Sequence, residues 1–479
     1  MNHALRMTLI QSPMRIGLWL LPLAVFIGCK VGPDFQPPQV AVPASWTQSD
    51  PNTANSTDPN LAQWWTVFHD PTLVSLVQRS MESNLDLKVA ESRIRQSRAA
   101  RAMAISGLAP TVDVVGSFRR GQSAATNNRT PRPTTNLYQA GFDAAWELDI
   151  FGGVRRNIEA SDADLAAAVE SRRAVWVTLA ADVARNYLEL RTLQQQIELT
   201  QRNLTSQRHT ADLTRKRLAG GLDSGLDVAN AQALVATTAA QLPFLEQSAR
   251  MSIYSLSVLL GSEPTALMEE LSPVAAIPSA PPSVPASVPS DLLRRRPDIR
   301  AAEARIHAAT ARIGVATADL FPRFQITSSI GYQSDKAETL FNSFRRFWSL
   351  GPSASWRIFD LDNIGSNIEL QKAFEEESFI VYQQTVLSAL QEVENALIAS
   401  EKEQVRYQAL TEAVAANRKA VELSTILYTS GQTDFLNVLI AQRSLYSAED
   451  AQVQSAGTLS TNLIALYKAL GGGLDPDNQ

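Results

Sequence analysis

The chain has few of the residues on which catalytic and metal sites depend. Among its 479 residues there are four histidines and one cysteine, and the histidines, at positions 3, 69, 209 and 307, are not paired at metal-ligand spacing. The glycine-containing stretches "GLDSG" and "GGGL" lack the strand-loop-helix setting of a nucleophile elbow or a phosphate loop. We therefore expect no enzymatic activity, no metal and no cofactor other than covalent lipid.

The chain also lacks an excess of positive charge. Lys and Arg number 43 against 48 Asp and Glu, which gives a net charge of -5. Phosphate binding needs a basic surface, so no nucleic-acid partner is expected. Long apolar runs are missing as well: after the N-terminus no 18 consecutive residues are apolar, so no transmembrane helix is expected in the mature chain.

The N-terminus is typical of an export signal. An apolar stretch over residues 16–27 is too short to span a bilayer and ends beside Cys29, which as the only cysteine cannot form an internal disulfide. One interpretation is an unused thiol. We favour a lipoprotein signal peptide over residues 1–28, with acylation of Cys29 after cleavage. Phe26 departs from the usual leucine of such signals, and Lys30 stands where an aspartate would retain the protein in the inner membrane.

One phrase of the sequence occurs twice. "GLDSGLDVANAQ" begins at Gly221 and "GQTDFLNVLIAQ" begins at Gly431, an offset of 210 residues, and the same offset separates the ends of "SVLLG" and "YKALG". The offset becomes 212 near the first strand of each half. We interpret the chain as two internal repeats. The predicted segments are an extended arm over 29–60, a first repeat over 61–261, a Pro-rich connector over 262–290, a second repeat over 291–471 and a tail over 472–479.

Each repeat has the same predicted order of elements: short helix, strand, loop, strand, very long helix, turn and medium helix. In the first repeat the short helix covers about 84–107 and the very long helix about 154–219; in the second the very long helix covers about 364–430. Apolar residues recur along these long helices with a seven-residue period, which predicts coiled-coil packing. At ~1.5 Å per residue, such a helix reaches roughly 100 Å, too long for a compact globular domain.

Four strands are predicted, over about 111–119, 138–148, 323–333 and 348–358. They alternate apolar with small or polar residues and carry aromatics near their ends, which is typical of transmembrane β-strands, although a soluble half-buried sheet alternates in the same way. Four strands cannot close a barrel, and open edges are costly in lipid, so several chains must pool their strands. Two chains would give eight strands and three would give twelve. Small inward-facing residues indicate an open bore and favour three.

Three phrases carry a resemblance to a known family: "GCKVGPDFQPP" at 28–38, "DLLRRRPDIRAAEARIHAATARIGVATADLFPRF" at 291–324, and the repeated turn phrase. With them the chain resembles the outer-membrane channel proteins of tripartite efflux pumps, of the TolC, OprM and NodT type. The resemblance covers nearly all of residues 29–473. It implies a mixed α and β membrane protein: a lipidated homotrimer with a 12-stranded β-barrel, four strands per chain, in the outer membrane of a Gram-negative bacterium, continued through the periplasm by a long α-helical coiled-coil barrel.

The resemblance also implies a function. Such a trimer is a passive duct that docks to a periplasmic adaptor protein and an inner-membrane transporter, commonly a proton-driven one of the RND type, and carries drugs or other small molecules out of the cell. Two alternatives stay open: a non-channel structural periplasmic lipoprotein with soluble sheets, and a type I secretion duct for proteins, which shares the fold. The lipoprotein signal and the Arg-Arg-Pro-Asp-Ile phrase favour small-molecule efflux over secretion.

The turns at 219–224 and 430–433 join each long helix to its partner and are expected at the periplasmic tip. Their glycines supply the backbone freedom that ends a helix. The candidate caps of the following helices are Asp223 or Ser224 and Thr433 or Asp434. The resemblance implies that the adaptor's helical hairpin is received beside these turns. The residues predicted to contact it are Arg217, Leu218, Gly220, Gly221 and Ser224 on one side, and Tyr428, Gly431 and Gln432 on the other.

The helix after the second turn is predicted to hold the closed aperture. The family pattern there is a leucine, an aspartate four residues later and an arginine three further on. Leu436 and Arg443 match, but Ile440 stands at the aspartate position. Leu436 and Ile440 share one helix face with Leu439 beside them, so three copies would form apolar rings that gate by dewetting. The alternative is that Ile440 belongs to a coiled-coil core. Asp227 and Asp434, near the same tip, could supply the missing acid.

Overall fold

The computed structural model describes residues 30–47, 61–122, 134–278 and 295–474, and the chain divides into two compact units. The strand-bearing unit takes the chain up to Gln36 together with 99–163 and 307–376, and the helical unit takes 37–98, 164–306 and 377–479. Each unit thus draws on both predicted repeats. Cys29 and residues 279–290 of the Pro-rich connector lie outside the described residues, so the lipid attachment stays a prediction.

The strand-bearing unit contains an antiparallel sheet whose four strands lie in chain order. They are β1 (Thr111–Gly121), β2 (Thr135–Leu148), β3 (Arg323–Ser334) and β4 (Arg346–Ser355). All four lie where the alternation predicts them, but the expectation that the last strand reaches residue 358 is wrong. β4 ends before Trp356, whose indole Nε1 donates instead to the carbonyl of Leu320 at 3.0 Å.

One face of this sheet carries an exposed apolar row. Four side chains lie directly opposite one another in successive strands: Val114, Phe142, Ile330 and Trp348. Neighbouring residues along a strand face the other side, and there the corresponding row is Asp113, Asp143, Ser329 and Ser349. Among the described residues, the outer edges of β1 and β4 pair with no other strand. The sheet therefore has an apolar face, a polar face and two open edges.

A pair of tryptophans makes the same contact in both halves of the chain. Trp146 donates its indole N–H to the carbonyl of Leu108 at 2.9 Å, as Trp356 does to that of Leu320. The tryptophans are 210 residues apart and the leucines 212, the two offsets found in the sequence. The two halves therefore build the same junction between a short helix and a strand.

Eight α-helices and a 3₁₀ helix make up most of the rest of the described chain. They are the 3₁₀ helix Leu61–Phe68, α1 (Pro71–Ser83), α2 (Leu85–Ser106), α3 (Gly153–Ala219), α4 (Gly225–Leu259), α5 (Met268–Leu271), α6 (Pro297–Ala318), α7 (Leu361–Thr429) and α8 (Phe435–Ala469). The predicted long helices correspond to α3, with 67 residues, and α7, with 69. Within the described ranges, no helix has both the length and the apolar character to cross a membrane.

The core of the helical unit contains the middle of α3. Leu179, Val183 and Leu190, which follow the predicted seven-residue apolar period, are buried there beside Trp64. The "GGGL" stretch closes the same core, because Gly473 donates its N–H to a carbonyl of the 3₁₀ helix and accepts from the indole of a tryptophan in α3. That stretch is a structural turn.

Candidate functional site

The two hairpin turns of the helical unit have the same backbone. In the first, Gly221 has a φ of 72° and the N–H of Leu222 donates to the carbonyl of Arg217 at 2.9 Å. In the second, Gly431 has a φ of 75° and the next N–H donates back to the last turn of α7 at 2.8 Å. These are Schellman helix ends, whose left-handed residue is glycine because a Cβ is unfavourable there. The repeated phrase therefore begins with glycine for a backbone reason.

The helices that follow the two turns begin differently. Ser224 caps α4 in a capping box: its hydroxyl accepts from the N–H of Asp227 at 3.2 Å, and the Asp227 carboxylate accepts from the N–H of Ser224 at 3.0 Å. Asp434 occupies the N-cap of α8, but its side chain makes no capping hydrogen bond. The Asp227 carboxylate is therefore already used to cap α4. Its assignment to the aperture stays a prediction.

A buried charged group joins the first turn to the second hairpin. Asp223 accepts from Nε of Arg217 at 3.2 Å and from the phenol of Tyr428, whose oxygen also lies 3.3 Å from the hydroxyl oxygen of Thr214. The guanidinium of Arg217 lies 4.4 Å from the ring centroid of Tyr428. Burial, then the hydrogen bond to Asp223, raise the pKa of Tyr428, so the phenol stays a donor. We call Arg217, Asp223 and Tyr428 the tip tie.

Two sequence-based assignments change at the tip tie. The sequence indicates Asp223 only as a candidate cap, and its partner Tyr428 is 205 residues away, so no local spacing indicates the pair. Tyr428 was predicted to contact the adaptor, but its side chain is 1% exposed and packs on Phe435 with ring centroids 5.6 Å apart. Tyr428 therefore offers no surface to a partner, and its assignment as a contact residue is corrected.

The other predicted contact residues lie mostly at the surface. Arg217 is half-buried in the tip tie. The exposed ones are Leu218, Gly220, Gly221, Ser224, Gly431 and Gln432. The first turn thus presents the apolar side chain of Leu218 to solvent as well as backbone and polar groups, and six of the eight predicted residues have a surface that a partner could contact.

The predicted aperture residues point away from the chain's own core. Leu436 is 55% exposed and Ile440 53%, and Arg443 is exposed one turn further along α8. Leu439 is 8% exposed and packs beside Phe435. Ile440 is therefore not part of the core of its own chain, and a coiled-coil core shared between copies stays an alternative prediction for it. Leu439, in contrast, is a core residue.

Comparisons with known proteins agree with this architecture. A family model described as "Outer membrane efflux protein" matches residues 76–262 and 288–472. Nodulation protein T of Rhizobium leguminosarum bv. trifolii is 32% identical over 450 residues, covering 94% of this chain and 95% of the relative. The pyoverdine export outer membrane protein OpmQ of Pseudomonas aeruginosa is 31% identical over 448 residues, covering 92% and 93%.

Solved structures match over the same length. The outer-membrane channel OprN is 37% identical with a TM-score of 0.86, covering 93% of this chain and 99% of that one. The open state of the Neisseria gonorrhoeae MtrE outer membrane channel is 29% identical with a TM-score of 0.80, covering 94% and 100%.

Proposed function

The chain belongs to the family of outer membrane efflux proteins, and from that premise we propose that it is the passive exit duct of a tripartite, RND-type efflux pump. It lies in the outer membrane of a Gram-negative bacterium, as its relatives do. Two relatives are named for export of pyoverdine and of toluene, so the proposed cargo is small organic molecules. In such a pump, selection among them belongs to the inner-membrane transporter.

The observation that carries this proposal is the sheet with two open edges and an exposed apolar row. In lipid, every unpaired backbone group at an edge costs several kcal/mol, so β1 and β4 need strands from neighbouring copies. Three copies would supply 12 strands and turn the row containing Phe142 toward lipid and the row containing Asp143 toward a wet bore. We therefore propose a homotrimer with a 12-stranded barrel, built from chains with two internal repeats.

The closed aperture is proposed at the second hairpin. Three copies of Leu436 and Ile440 would form two apolar rings on the exposed face of α8, with Arg443 behind them, and narrow apolar rings exclude water. The tip tie supports this assignment because it holds α7, which leads into that hairpin, against the first turn. Opening requires the second hairpin to move, so the tip tie is proposed as the latch of the closed state.

The remaining assignments concern attachment and partners. Acylated Cys29 would anchor the N-terminus in outer-membrane lipid. The exposed turn residues, among them Leu218 and Gln432, would receive a periplasmic adaptor protein, which in turn contacts the inner-membrane transporter.

Two measurements test the duct. The purified chain should migrate as a heat-modifiable oligomer on denaturing gels and should conduct ions in planar bilayers. A soluble, non-conducting product would instead support a structural lipoprotein. In a deletion strain, drug susceptibility should fall on complementation only when the neighbouring pump genes are present. Restored secretion of a protein without any change in susceptibility would favour the type I secretion duct.

A further inference from the structure

The segment Lys30–Gln36, here named the strap, is bound to the strand-bearing unit by one arginine. Arg156, whose side chain is buried, donates to the carbonyls of Val31 at 2.9 Å and Gly32 at 3.1 Å and to the carboxylate of Asp34 at 2.8 Å. The N–H of Val31 donates to the carbonyl of Phe151 at 3.2 Å. A single guanidinium thus binds two backbone carbonyls of the strap and the side chain of a third strap residue.

A carboxylate beside Arg156 receives the strap's cation. Glu159 pairs with Nζ of Lys30 and with Arg156 at 3.0 Å, and Nε2 of His307 lies 3.2 Å from its second oxygen. A face of the imidazole is used as well as its edge, because Phe35 stacks on His307 with centroids 4.4 Å apart and planes 12° from parallel. The strap's charge and its aromatic ring are therefore both matched by side chains of α3 and α6.

The fit between strap and helix leaves no room for a side chain at the crossing. A Cβ on Gly32 would overlap the Cα of Gly314, and Gly32 has a φ of 88°. A Cβ on Gly314 would come within 2.8 Å of the Arg156 side chain. Both glycines come from the phrases that carry the family resemblance, so the two phrases meet at this point.

This arrangement is built in only one half of the chain. At the offset of 210 residues, Arg156 corresponds to Ser366; at the offset of 212, Gly314 corresponds to Ala102. Serine lacks the guanidinium and alanine adds the Cβ that would close the crossing. A requirement of the repeated fold itself would be met in both halves, so the site serves the strap.

We propose that Arg156, Glu159, His307 and Gly314 form a binding site for the chain's own N-terminal segment, which recognises a cation followed by a glycine, an acid and an aromatic ring. The site fixes the N-terminus to the strand-bearing unit through protein contacts, in addition to any lipid on Cys29. It concerns described residues only, and its test does not depend on whether the chain conducts.

Amide hydrogen exchange of the full chain in detergent, read by mass spectrometry over residues 30–36, tests the site. Wild-type protein should exchange slowly there, and Glu159→Gln and Gly314→Ala should each speed exchange by about tenfold or more, confined to the strap. Alanine favours a helix over glycine, so a loss at Gly314→Ala cannot come from weakening α6. Asp162→Asn is the matched control. Asp162 lies on α3, as Glu159 does, and the substitution breaks only an exposed ion pair with Arg101, so strap exchange should not change.

Three results would overturn the proposal: wild-type strap amides already exchanging at the rate of an unstructured peptide, Gly314→Ala leaving their rate unchanged, or Asp162→Asn raising it equally. Each variant must first show the wild-type circular dichroism spectrum. A variant that fails that check is replaced by His307→Leu, which removes the stacking partner and the contact to Glu159, and which should speed strap exchange in the same way.

Discussion

The phenol of Tyr428, at the end of α7, donates a hydrogen bond to the carboxylate of Asp223, in the turn after α3. Both groups are withdrawn from solvent, and Arg217 neutralises the carboxylate while its guanidinium covers the phenol ring. A buried charge that loses one of its partners is costly, so the two hairpins are coupled by more than apolar packing. The consequence for the proposed aperture is direct, because the aperture residues lie on the helix that follows Tyr428.

Tyr428→Phe should loosen the closed state. The substitution keeps the ring under Arg217 but removes the donor to Asp223, and a hydrogen bond to a charged group contributes about 1.5 to 3 kcal/mol. We expect a higher single-channel conductance in planar bilayers and increased vancomycin uptake in cells. Tyr446→Phe is the control, since its hydroxyl joins Thr200 and Gln241 away from the turns. Equal effects of the two variants would contradict a specific latch at Tyr428.

Substitutions of exposed and buried aliphatic residues of α8 should have different effects, because the exposed ones are assigned to the aperture and the buried one to the core. The pair Leu436→Ala and Ile440→Ala removes bulk from an exposed face, so conductance should rise while the thermal unfolding midpoint stays near wild type. Leu439→Ala removes a buried side chain beside Phe435 and should lower stability by about 2 to 5 kcal/mol. Single-channel conductance and circular dichroism melts, measured on the same preparations, distinguish the two effects. An unchanged conductance in the double variant would remove these two residues from the aperture.

The first turn should depend on glycine at one position and tolerate alanine at another. Gly221 has a φ of 72°, where a Cβ costs about 1 to 2 kcal/mol, so Gly221→Ala should lower the unfolding midpoint. Gly225 begins α4 with open space around it, and Gly225→Ala should be neutral or stabilising by up to about 1 kcal/mol. If both variants melt alike, the turn is not held by the Schellman geometry.

Periodicity was sufficient to place the long helices and the strands. A seven-residue apolar period and a two-residue alternation are local signals, and the glycine that opens each repeated phrase reports a local backbone need. Leu436 and Ile440 could be assigned to one face for the same reason, since residues four apart on a helix share it.

Long-range pairing was beyond such signals. Tyr428 and Asp223 meet only because two hairpins pack side by side, and a tyrosine next to a turn is indistinguishable in sequence from a surface contact. Leu439 and Ile440 are adjacent, and the choice of which one faces the core depends on the neighbouring helix. At the early end of β4, the indole of Trp356 donates to the carbonyl of Leu320, which lies in a turn 36 residues earlier in the chain. The strap is a further case, because its binding residues come from two helices, α3 and α6, that are far apart in the sequence and far from the strap.

The strap should be released by acid through Glu159. Burial acts to raise the pKa of this carboxyl, but hydrogen bonds from Lys30, His307 and Arg156 outweigh it and lower the pKa from 4.5 to about 2. A carboxyl with a depressed pKa in the folded state contributes stability that is fully present above its unfolded value and is lost as the pH falls toward the folded one. Exchange over residues 30–36, corrected for the intrinsic pH dependence of amide exchange, should therefore accelerate as the pH falls from about 4.5 toward 2.

In Glu159→Gln, which cannot ionise at that position, strap exchange should be fast at neutral pH and should change little over the same window. A steep acid dependence that persists in Glu159→Gln would assign the acid sensitivity to another group and remove Glu159 as the carboxylate that holds Lys30.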